Sequence, residues 1–116
     1  MKLIILALAC ALALAAQTRS VALAWVDTQN PATGTSYNVY KAPGACPASG
    51  TPTWGAAPLN ATPLSAKTYT DTPIAIGTSA CYAVTALFAG VESAKSIPVS
   101  VQVGPFQPSG LSAVVQ

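Results

Sequence analysis

Ser79-Ala80-Cys81-Tyr82-Ala83-Val84-Thr85-Ala86-Leu87-Phe88 is the stretch that decides the fold class. On an extended backbone Tyr82, Val84 and Ala86 share one face and Cys81, Ala83 and Thr85 the other, the two-residue period of a strand. Gly90 then supplies a turn, and residues 96–103 return with Ile97, Val99, Val101 and Val103 alternating. The segment therefore predicts an antiparallel hairpin.

Working outward, Thr68-Tyr69-Thr70 reads as a short strand ending at Asp71. Tyr37-Asn38-Val39-Tyr40 reads as another, after the turn cluster Asn30-Pro31-Ala32-Thr33-Gly34. Residues 20–26 place Val21, Leu23 and Trp25 on one face of a half-buried strand. Residues 43–63, rich in Pro and Gly, are the least regular part and hold one weak strand candidate around Trp54. After Gln17 no window carries apolar residues at helical spacing for three turns. Short strands at this spacing predict an all-β antiparallel sandwich.

At 116 residues, 52% hydrophobic and 7% charged, the chain is one small globular unit rather than a disordered tail. Five basic residues against three acids, scattered singly, leave no electrostatic footprint for nucleic acid or an anionic membrane surface. There is no His, and the acids Asp27, Asp71 and Glu92 lie far apart in sequence. No catalytic residue, enzyme activity or cofactor is expected from such a set. Three carboxylates are too few for calcium, and two cysteines without His make no zinc site, so no metal is expected either.

Met1 and Lys2 precede an apolar run over residues 3–16, LIILALACALALAA, which falls short of the roughly 20 residues a membrane-spanning helix needs. It reads as a secretory signal, with the small residues Ala13 and Ala15 placing cleavage after Ala15 or one residue later. The alternatives are an uncleaved anchor, a lipoprotein acylated at Cys10, which lacks the usual Leu three places before it, or a structural core helix. The expected organisation is a signal over 1–16, a domain over 17–104 and a tail over 105–116, with no membrane span in the mature chain. A secreted, cell-surface or periplasmic location follows. Loss of Cys10 leaves Cys46 and Cys81, a pair that an oxidising compartment favours as a disulfide, two buried reduced thiols being the alternative.

Together, V-A-L-A-W (21–25), Y-N-V-Y-K (37–41), T-Y-T-D-T (68–72), C-Y-A-V-T-A-L (81–87) and G-V-E-S-A-K-S (90–96) resemble a fibronectin type III domain of the bacterial kind. The resemblance implies a seven-strand immunoglobulin-like sandwich. Its core would hold Trp25 on strand B, Tyr37 and Val39 on C, Tyr69 on E, and Tyr82 and Val84 on F. The disulfide would then tie the loop after strand C to the outer face of strand F. Two departures stand out. Ala80 occupies the family's usual tyrosine-corner position, and nothing between the signal and Ser20 can form strand A.

Other residues carry expectations of their own. Trp54 is a candidate interaction residue, as a stacking platform, and Tyr40 is expected to be exposed. Asp71 and Glu92 are expected to cap turns. Asn60-Ala61-Thr62 matches a glycosylation acceptor. The resemblance implies a secreted, non-catalytic structural or adhesive module that binds protein, either itself or another surface protein. A carbohydrate-binding accessory domain, with Trp54 exposed beside a second aromatic, is the alternative. Finally, Pro108-Ser109-Gly110-Leu111-Ser112-Ala113-Val114-Val115 resembles the opening strand of a following repeat. That makes Leu111, Ala113 and Val115 candidates for filling a neighbour's empty strand-A groove in a self-assembling chain.

Overall fold

The computed structural model describes residues 17–115. The signal segment and Cys10 lie outside the described residues. Six strands form: β1 (Thr18–Ala24), β2 (Ser36–Pro43), β3 (Thr68–Ala75), β4 (Ser79–Phe88), β5 (Val91–Glu92) and β6 (Val99–Gln102). All pairings are antiparallel, and no helix occurs among the described residues. β1 pairs with β3 in one sheet. In the other, β4 is central, with β2 along one edge and both β5 and β6 along the opposite edge. The two sheets form a sandwich of the immunoglobulin-like kind; among the described residues there is no first strand, and the outer edge of β1 has no partner.

The core lies between the sheets. Val21 of β1 and Ile74 of β3 meet Val39 of β2, Ala80 and Tyr82 of β4, and Val103 just past β6. Leu23, Trp25, Tyr69 and Val84 pack against this cluster while only partly buried. β4 is buried on both faces along much of its length. Its inner face carries core residues, and its outer face carries Cys81, bonded to Cys46 with 4.9 Å between their Cα atoms. That bond anchors the loop after β2 onto the sheet.

Three strand expectations need correction. β3 does not stop at Asp71 but runs on to Ala75, pairing Ile74 with Arg19 and Ala75 with Thr18. No strand forms around Trp54. Instead, the irregular segment seals the open edge of β2, with Gly55, Leu59 and Leu64 donating to the carbonyls of Lys41, Val39 and Tyr37. An edge covered this way offers no template for another chain. The returning strand is also broken into β5 and β6. Pro98 has no N–H to give to a ladder, and over residues 93–98 two serines stand in for backbone. Ser93 Oγ accepts from Ala86 N–H at 2.9 Å, and Ser96 Oγ accepts from Val84 N–H at 3.0 Å.

Candidate functional site

The first-strand gap leaves part of the core uncovered. Ile97, Val99, Val101 and Val103 point to the same side, yet their exposure falls steeply along the segment. Ile97 is 89% exposed and Val99 58%, Val101 is half-buried, and Val103 is only 5% exposed. Val103 is covered at the end where β1 begins, whereas no strand among the described residues covers Ile97 and Val99. Together with Leu23, Trp25 and Val26 on one wall and Tyr82 and Val84 on the floor, they line an apolar groove of about 340 Å³. Val26 on the rim is also largely exposed. Apolar side chains gathered at the lip of an open groove mark an interaction site more readily than scattered ones do.

Trp25 forms the partition between this groove and a second, more polar cavity of about 410 Å³ that reaches Asp27, Asn30, Thr85 and Ser93. Its ring meets Tyr37 edge-on at 5.6 Å between centroids. Its indole Nε1–H is buried without an acceptor, the one such side-chain atom among the described residues. A buried donor left unpaired costs about 1 to 3 kcal/mol, so this wall of the groove is unfinished.

The three carboxylates are fully engaged. Asp27 accepts from Tyr37 OH at 2.8 Å, from the backbone N–H of Gln29 and Asn30, and from the Asn30 side chain. The Asn30 amide, above all, holds its carboxyl well below the usual carboxylate range. Asp71 does not cap a turn as expected. It stands within β3 and reaches across to the other sheet, where Tyr82 OH donates to it at 2.6 Å and Lys41 pairs with it at 2.9 Å. Glu92, following the hairpin turn, accepts from Thr85 and Tyr40 hydroxyls, each at 2.6 Å, and the Thr85 bond leads in lowering its carboxyl. Tyr40 is therefore buried, not exposed; the bond to Glu92 pushes its phenol up to about 12. No group of three His, Cys, Asp or Glu side chains suited to a metal comes together among the described residues.

Trp54 is half-buried rather than a free platform. Lys95 sits over its ring and over that of buried Tyr40, 5.9 Å from the Trp54 centroid and 4.3 Å from that of Tyr40. The glycosylation acceptor Asn60 is buried as well. Its Oδ1 accepts from Val39 N–H, and its Nδ2 donates to Tyr37 O, Asn38 Oδ1 and Thr62 O. It replaces a missing strand residue on the β2 edge, a role that the three-residue motif does not signal.

Leu111, Ala113 and Val115 are all exposed, Leu111 and Val115 at 98%, and residues 103–115 form no strand. The tail starts beside β1, where Arg19 donates to the carbonyls of Gly104 and Pro105 and stacks its guanidinium 4.6 Å from the Phe106 ring centroid. Sequence reasoning finds these tail residues but not the groove rim of Val26, Ile97 and Val99, because alternation reads the same whether or not a sheet lies opposite. No protein-family model matches the chain, and no curated protein matches it at a significant level.

Proposed function

We propose that the chain is an exported, non-catalytic interaction module of the fibronectin type III kind, which binds an extended protein segment in the groove beside β1. The observation that carries this is the exposed apolar rim of Val26, Ile97 and Val99 next to the outer edge of β1, which has no partner among the described residues. An added strand would gain main-chain hydrogen bonds from β1 and side-chain pockets from the groove, the two components of recognition by strand addition. Carbohydrate binding would call for an open aromatic face, and Trp54 instead shares Lys95 with a buried tyrosine. Engagement of every acid by a tyrosine supports a structural rather than catalytic use of those carboxylates.

The test is titration of the exported protein with a short peptide of alternating Val and Thr, followed by Trp25 emission in a Trp54→Phe background. A saturable shift that Ile97→Asp abolishes is the expected result. No shift, or one indifferent to Ile97→Asp, counts against the reading. A soluble glucan oligosaccharide that perturbs Trp54 in the parent protein would replace it with the carbohydrate alternative.

A further inference from the structure

Among the described residues, exposed large apolar side chains gather at the β4–β5 hairpin (Phe88 and Val91), at the groove rim, and along the tail, where Leu111, Val114 and Val115 are the most exposed. Building on the interaction reading above, we propose that the groove of one copy takes the C-terminal segment of a second copy, with Leu111, Ala113 and Val115 facing its floor. The tail supplies what the groove lacks. It is uncharged from Gly104 to Val115, forms no strand of its own, and on an extended backbone would put Leu111, Ala113 and Val115 on one face and Ser112 and Val114 on the other.

A copy is poorly placed to serve itself. Every strand pair among the described residues is antiparallel, and an antiparallel partner for β1 must begin beside Ala24. Arg19 holds Gly104, Pro105 and Phe106 at the opposite end. From Phe106 to Leu111 is five residues, about 17 Å fully extended, and the run of β1 from Arg19 to Ala24 is also about 17 Å. The whole segment is used up in reaching the point at which it would have to turn back, and none is left for the turn itself. Docking in trans removes that limit. The contact is head to tail and does not close on itself, so copies add in rows.

The exported full chain, its start fixed by intact mass, is compared with the Leu111→Asp/Val115→Asp double variant. Both side chains are almost wholly exposed, so the charges touch nothing in the folded copy. Sedimentation velocity from dilute to concentrated solution should show a ladder of whole-number multiples for the parent and complete loss of every species above monomer for the variant. A synthetic peptide of residues 108–116 should bind the variant and shift Trp25 emission in a Trp54→Phe background. Ile97→Asp should abolish both ladder and peptide uptake. A parent that stays monomeric, or a ladder that survives the double substitution, overturns the proposal. So does a ladder lost without any peptide uptake, because the tail then acts through another contact. A monomeric parent whose double variant still takes the peptide means that each tail occupies its own groove. That outcome defeats exchange between copies and leaves the interaction reading standing, whereas failure of both the tail peptide and the Val/Thr peptide defeats both.

Discussion

Asp27, Asp71 and Glu92 each take a hydrogen bond from a tyrosine, so the chain's whole complement of carboxylates fastens loops and sheets together. The Tyr82 hydroxyl joins β4 to β3 across the sandwich, and Tyr82→Phe should cost about 1.5 to 3 kcal/mol in denaturant unfolding, the range for a bond to a charged group. Burial, then the Asp71 carboxylate, holds the Tyr82 phenol far above its ordinary value. Trp25→Ala opens the wall between two cavities and should cost about 3 kcal/mol, the lower end for a Trp because the ring is only partly covered. Trp54→Ala should cost clearly less, since that ring lies outside the core cluster. Equal losses in chemical denaturation would show that Trp54 belongs to the core. The core list of Trp25, Tyr37, Val39, Tyr69, Tyr82 and Val84 is what the resemblance implies; Tyr37, Val39 and Tyr82 are buried, whereas Trp25, Tyr69 and Val84 pack against the core cluster while partly exposed. The burial of Tyr40 is not legible in the sequence, because it depends on Glu92, a partner 52 residues away.

Among the elements, β4 is readable to its last residue because a central strand carries its own alternation and ends at a glycine turn. That turn places both Ala89 and Gly90 at positive φ, 52° and 80°, the backbone of a two-residue hairpin turn that favours Asn-Gly. Alanine is strained there by roughly 1 to 2 kcal/mol. Ala89→Gly should therefore raise stability by up to about 1 kcal/mol, readable as a higher denaturant midpoint at unchanged slope. The Cys46–Cys81 bond closes a 35-residue separation, and its loss in a Cys46→Ala/Cys81→Ala variant should cost roughly 3 to 4 kcal/mol by the chain-entropy relation. The broken strand after Gly90 is hidden from sequence reasoning. Ser93 and Ser96 take over acceptor roles that pattern analysis reserves for carbonyls, and Asn60 does the same for β2.

For the whole molecule, these pairs set opposite pH limits. Asp27 and Glu92 ionise at lower pH when folded, so their contribution is present above the ordinary carboxylate range near about 4 and fades as acid carries pH below it. Tyr37, Tyr40 and Tyr82 ionise at higher pH when folded; their contribution is intact below about 10 and is lost as pH climbs through the raised values, about 12 for Tyr40. Thermal midpoints should form a broad plateau between those limits, and tyrosinate absorbance should lag behind that of free tyrosine until the fold gives way. A midpoint that declined steadily between pH 6 and 9 would contradict this assignment.

Asn60 has a consequence for where the protein can be made. A eukaryotic secretory pathway reads Asn60-Ala61-Thr62 on the nascent chain, before β4 has emerged to pair with β2. A sugar attached to Nδ2 would then occupy the space in which that nitrogen meets Tyr37, Asn38 and Thr62. Sugar addition and folding compete for one nitrogen, and every molecule modified first is barred from the native state. In such a host Thr62→Ala, which keeps the Thr62 carbonyl and erases the acceptor signal, should recover folded material; in a host without the transferase it should make little difference to yield.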